Sequence, residues 1–71
     1  MELEIGKSYE VLVRIIGKQK SEINWYWIES GKVFLCISGL GNDGWIILVD
    51  SQLYSVNTSG VEVWELIRRI D

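Results

Sequence analysis

Residues Ser59-Gly60-Val61-Glu62-Val63-Trp64-Glu65-Leu66-Ile67-Arg68-Arg69-Ile70 decide between two fold classes. The apolar positions Val63, Leu66, Ile67 and Ile70 fall at i, i+3, i+4 and i+7, as one face of a helix requires. Ser59-Gly60-Val61-Glu62 has the pattern of a capping box: the Ser59 hydroxyl accepts from the Glu62 amide while the Glu62 carboxylate reaches back. Glu62 and Glu65 stand early and Arg68 and Arg69 late, as the helix dipole favours, and Glu65 with Arg69 forms an i,i+4 pair. The strand alternative places Glu65 and Arg69 on the face of Val61, Val63 and Ile67. The spacing predicts a helix over about 59–70.

Upstream the period is two rather than 3.6. In Ser8–Ile16, Tyr9, Val11, Val13 and Ile15 share one face and Glu10, Leu12, Arg14 and Ile16 the other, so the first face is read as the core side of a strand. Leu3 and Ile5 extend it or lead into it, and Gly17-Lys18-Gln19-Lys20-Ser21 reads as a polar loop. Ile23–Glu29 carries Ile23, Trp25 and Trp27 on one side, with Tyr26 and Ile28 opposite. Ser30-Gly31 suits a tight hairpin turn into Lys32–Ile37. A glycine-rich turn, 39–44, leads to Trp45–Asp50, and Leu53–Val56 follows a turn at 50–52. The expected fold is α+β, mostly β: a small antiparallel sheet or partly open barrel of four to five strands with one C-terminal helix.

The 71 residues make one domain, 1–71, since two independent cores would not fit. Apolar content of 48% with a net charge of −3 argues against disorder. Cys36 has no cysteine to pair with, and its place between Leu35 and Ile37 marks it as a buried small hydrophobe. No apolar run approaches the roughly 20 residues of a bilayer span, and the N-terminus lacks signal-peptide character, so a cytoplasmic location is expected.

Histidine is absent, which removes the commonest general base, the commonest zinc ligand and the histidine-based nucleophile arrangements. One cysteine cannot build a structural zinc site. Most carboxylates alternate with apolar residues, as Glu2 and Glu4 do, or sit in turns, as Asp43 does. The sequence thus predicts a non-enzymatic protein with no catalytic residue, cofactor or metal. Gly39-Leu40-Gly41-Asn42-Asp43-Gly44 spells the dinucleotide fingerprint, but a strand-like run follows where a phosphate-binding helix is needed, so it reads as a hairpin loop.

The segment from Asp43 to Ile67 resembles the PqqD-like family of recognition elements, whose members show a β-hairpin followed by LNxTGxxIWxLL. Val56-Asn57-Thr58-Ser59-Gly60 and Val63-Trp64-Glu65-Leu66-Ile67 carry the match, with Val56 in place of the usual Leu. The family's second and third helices are missing, and the residues before Asp43 are longer and more β-rich than its usual lead-in. The resemblance implies a module that takes a leader peptide as an extra strand on a sheet edge, with apolar pockets selecting it. It places that edge at Leu53, Tyr54 and Val56, with Trp64 and Ile67 lining the groove. Separately, Ile5–Gly17 is similar to the first strand of TRAM or S1-type OB barrels, which implies RNA or single-strand binding by exposed Trp25, Tyr26 or Trp27. A pI of about 4.8 weighs against nucleic acid, although Lys7, Arg14, Lys18 and Lys20 would make a local basic patch.

Four Trp in so short a chain, with Trp25-Tyr26-Trp27 filling both faces of one strand, exceed what a single sheet and one helix can cover. A homodimer or a hetero-partner surface is expected, the partner residues being Leu53, Tyr54, Val56, Trp64, Ile67, Trp25, Tyr26 and Trp27. The function predicted is protein or peptide binding. An RNA-binding barrel and a small acidic inhibitor of a larger enzyme are the alternatives.

Overall fold

A computed structural model of the chain describes residues 3–19, 23–41, 44–58 and 63–70, the last span without the side chains of Val63 and Trp64. Its strands are β1 (Ser8–Val11), β2 (Ile15–Gln19), β3 (Trp25–Ile28), β4 (Val33–Gly41), β5 (Gly44–Val49), β6 (Gln52–Asn57) and β7 (Ile67–Arg69). A single helical turn, α1 (Val63–Leu66), precedes β7. All seven strands join one antiparallel sheet in the order β3-β2-β6-β5-β4-β1-β7, curled into a half-barrel.

The curl follows from the chain path. Alternation runs unbroken through Ser8–Ile16, yet the strand bends at Leu12–Arg14 into β1 and β2. Only three residues separate them, while the sheet order puts β6, β5 and β4 between them. A short link can span that order only if the sheet rolls until its two ends approach. Two irregularities in the β4–β5 ladder, between Cys36 and Ser38 and between Gly39 and Gly41, supply local coiling. The bend also explains Val13, which is exposed where strict alternation would bury it.

Inside the roll lie Tyr9, Val11, Ile15, Ile28, Phe34, Cys36, Ile47, Val49, Val56 and Ile67, joined by Leu3. Tyr9 stacks on Phe34 with ring centroids 5.4 Å apart. Gly17 of β2 faces the same interior: a Cβ there would stand 3.1 Å from Ile28 Cδ1 and 3.3 Å from Val56 Cγ1. Gly17→Ala must therefore push two core side chains aside. It should destabilise by about 1–3 kcal/mol, the usual range for overpacking, and a denaturant titration checks this. An unchanged midpoint would mean that β2 lies further from β6 than the structure places it.

Four expectations are corrected. The fold class is all-β rather than α+β, with seven strands rather than four or five. The helix over 59–70 is not formed: Val63–Leu66 makes one turn and Ile67–Arg69 is a strand. The backbone partners give the reason. In a continuing helix Ile70 N–H would donate to Leu66 O; instead it donates to Ser8 O at 3.1 Å. Leu66 O accepts from Leu12 N at 2.7 Å and Val13 N at 3.1 Å, tying the turn to the bend. The expected Glu65–Arg69 pair gives way to Arg68–Glu10 across to β1 at 2.6 Å and Arg69–Glu4, in the segment before β1, at 2.7 Å. The capping box at Ser59 and Glu62 lies outside the described residues. Third, Gly17-Lys18-Gln19 is strand rather than loop. Fourth, Ser30-Gly31 does not close a hairpin, since β3 pairs with β2 and β4 with β5 and β1.

The β5–β6 hairpin joins the two runs read as strands on either side of a turn at 50–52. Its two central residues, Asp50 and Ser51, both have positive φ, 49° and 67°, as a type I′ turn demands. The Asp50 carboxylate accepts from Lys32 Nζ at 2.6 Å across the turn. That hydrogen bond and charge pair hold the Lys32 ammonium above its ordinary pKa.

Candidate functional site

Two sheet borders remain open, and they differ. β7 carries Arg68 and Arg69, each held by a carboxylate, Glu10 of β1 and Glu4 from the segment before it. Charges on a border strand discourage pairing with other chains. β3 has the sequence Trp-Tyr-Trp-Ile, with no charge, and among the described residues pairs only with β2. Trp25 is 60% exposed, Trp27 52% and Tyr26 38%; Ile28, pointing inward, is buried.

The register fixes which neighbours these rings have. Trp25 stands opposite Lys18 and Trp27 opposite Ile16, on the outer face, while Tyr26 stands opposite Gly17. The Arg14 guanidinium lies over the Trp27 ring at 4.1 Å from its centroid, a cation–π contact. The charged groups Lys32, Arg68 and Arg69 have carboxylate partners, whereas neither Arg14 nor Lys18 forms an ion pair among the described residues. One face of β2 and β3 therefore offers two tryptophans flanked by two cations.

Next to this face the half-barrel opens into a cavity of about 160 Å³. The β2–β6 ladder consists of Lys18↔Ser55 and Gln19↔Tyr54. Beyond that ladder, Arg14, Ile15 and Ile16 on one side and Val56, Asn57 and Thr58 on the other line the cavity, with Phe34 and Ile67 among its apolar walls. Trp27 stands at its border beside Arg14. Thr58 is buried and its hydroxyl accepts from Trp45 Nε1 at 3.0 Å. The volume suits one medium-sized apolar side chain.

The sequence-predicted site residues divide accordingly. Leu53, Tyr54 and Val56 lie on β6, an internal strand paired with β5 and β2, so they offer no free edge and that placement is corrected. Val56 and Ile67 are buried and line the cavity. The Trp64 side chain lies outside the described residues. Trp25, Tyr26 and Trp27 are brought together on the open edge. Arg14 was legible only as part of a basic patch; its place over Trp27 depends on the bend at 12–14. Lys20 of that patch lies outside the described residues.

Cys36 is enclosed in the core and its thiol pKa is pushed up by burial, the opposite of an activated nucleophile. Among the described residues no group of three or more Cys, Asp or Glu could hold a metal ion. No described helix is long and apolar enough to cross a membrane. Comparison of the chain with protein-family models, curated proteins and solved structures finds no match.

Proposed function

We propose that the protein is a non-enzymatic binding module that takes an extended segment of a protein partner onto β3. The observation that carries this is the contrast of borders: β7 is guarded by charge, whereas β3 is uncharged and aromatic and is paired with β2 alone among the described strands. A strand added at β3 gains main-chain hydrogen bonds, and the Trp25 and Trp27 rings supply contact area at low entropic expense. A side chain from the docked segment, or from its continuation past Trp27, has the cavity at hand. The leader-peptide variant of this reading keeps its chemistry but moves from Leu53–Val56 to β3.

One observation favours a second reading. Arg14 and Lys18 beside two tryptophans on one face would also suit single-stranded nucleic acid, through phosphate contact and base stacking. The net charge of −3 opposes it.

Selection from a displayed library of random extended peptides, followed by titration against tryptophan fluorescence, tests the proposal. Enriched peptides should bind in the micromolar range, and Trp27→Ala should weaken them about tenfold, the loss of one interface anchor of about 1.4 kcal/mol. Oligothymidylate at low salt is the parallel probe. Binding of the oligonucleotide with no peptide enriched would overturn the peptide reading in favour of the second.

A further inference from the structure

We infer that the cavity into which the half-barrel opens is a binding site for a small organic acid. The ligand class is an aryl or short-chain alkyl carboxylate, with its apolar body in the cavity and its carboxylate on Arg14. The juxtaposition that carries this is a guanidinium without an ion pair at the rim of an otherwise uncharged, mainly apolar cavity. The inference does not depend on the docking reading. A docked segment pairs with β3, whereas the cavity opens between β2 and β6, and a ligand free in solution enters it with β3 unoccupied.

The walls select the body. Ile15, Phe34, Val56 and Ile67 line the cavity, and all four are buried core residues. Thr58 brings a hydroxyl, already engaged by Trp45 Nε1 at 3.0 Å. Few voids in a packed interior exceed the size of a water molecule. This one holds about 160 Å³, close to the roughly 150 Å³ at which an apolar cavity takes up benzene. A phenyl ring, or an alkyl chain of similar bulk, fits it.

Arg14 selects the head group. It is the one charged residue among the described residues lining the cavity, and it is exposed. Its guanidinium rests on the Trp27 ring, a contact that engages no N–H donor in a hydrogen bond. Glu29, next along the chain from the Ile28 that faces Ile15, forms no ion pair with it. The fork of guanidinium donors matches a carboxylate in bidentate geometry. The net charge of −3 does not cancel this attraction, because exposed charges beyond about 8 Å are screened at physiological salt.

Phenylacetate and hexanoate are the probes; acetate lacks the body and phenylacetamide lacks the charge. A ligand of about ten non-hydrogen atoms should bind in the millimolar range. Amide resonances of Ile15, Val56 and Ile67 should then shift, and those of the Asp50-Ser51 turn, at the other end of β6, should not. Acetate should leave all of them unmoved. Phenylacetamide should bind about threefold to fivefold more weakly than phenylacetate, as suits an ion pair at an exposed rim. Arg14→Gln should erase that difference while its affinity for phenylacetamide stays that of the wild type, which a merely unfolded variant could not show. At ten times Kd phenylacetate should also raise Tm by several degrees, and acetate at equal ionic strength should not. Cavity amides that stay unmoved up to about 20 mM of both probes, well above a millimolar Kd, overturn the inference. So do equal affinities for acid and amide, a preference for the acid that survives in Arg14→Gln, or shifts confined to Trp25 and Tyr26. None of these outcomes bears on docking: selected peptides that still bind β3 leave that reading standing, and their failure removes it alone.

Discussion

Phe34→Ala is expected to lower the stability of the domain by about 3–5 kcal/mol, the range for removing a buried aromatic side chain. Phe34 is 1% exposed, stacks on Tyr9 and forms part of the cavity wall. Its loss therefore enlarges a cavity that already exists, and the neighbours have less reason to collapse into the space. A chain of 71 residues with no disulfide or metal among its described features has a small margin, since a single core of this size rarely supplies more than about 3–5 kcal/mol. The substitution should thus leave much of the protein unfolded at room temperature. Chemical denaturation read by circular dichroism measures it. A loss below about 1 kcal/mol would mean that Phe34 is not at the centre of the packing.

Phe34 was only partly legible in the sequence. Lys32–Ile37 reads as a strand and Cys36 as a buried residue, but Val33–Ile37 is apolar throughout, and only the fold sets Phe34 with Cys36 on the buried face. Trp45–Asp50 and Leu53–Val56, read as strands on either side of a turn at 50–52, form a hairpin whose turn is Asp50 and Ser51, because a short apolar run bounded by turn residues is a local signal. What escaped the sequence is non-local. The bend at Leu12–Arg14 falls in unbroken alternation and is set by backbone bonds to Leu66 O, 54 and 53 residues along the chain from Leu12 and Val13. The pairing of β3 with β2 rather than β4 depends on that bend, and Ser30-Gly31 would serve either outcome.

The candidate site shows the same division. That Trp25 and Trp27 share a face follows from the period of a strand, and their excess over what one small sheet can cover is readable from composition. Which strand borders the sheet is a property of strand order, which no local pattern encodes. The resemblance that assigned the edge to Leu53–Val56 named a strand that the roll encloses. The aromatic surplus pointed to residues that the same roll leaves outside.

Ile67→Asp should be nearly as damaging, about 3–5 kcal/mol, because it puts a carboxylate into the apolar core, and Arg14, which lines the same cavity, would have to leave the Trp27 ring to neutralise it. The position tests the C-terminus directly. Ile67 opens β7, pairs with Val11 and is 6% exposed against the core. Its neighbours Arg68 and Arg69 point outward to Glu10 and Glu4, so neither is placed to neutralise an inward carboxylate without giving up its own pair. Those two outer ion pairs are exposed and worth only about 0–1 kcal/mol each, so β7 is held chiefly by its one buried side chain and its bonds to β1. Two responses are open to the variant. Either β7 detaches, freeing β1, or the carboxyl stays protonated in place. A group whose folded pKa is raised loses stability as pH rises from its unfolded value, about 4 for Asp, towards its folded one. The damage should therefore be smallest below pH 4 and grow towards neutrality, relative to wild type. Ile67→Asn, isosteric and uncharged, should show no such slope. Hydrogen exchange at Leu12, whose N–H donates to Leu66 O, compared with Val11, whose N–H donates to Lys32 O, distinguishes detachment from global unfolding. A stable Ile67→Asp protein with unchanged exchange at Leu12 would return the C-terminus to the helical reading.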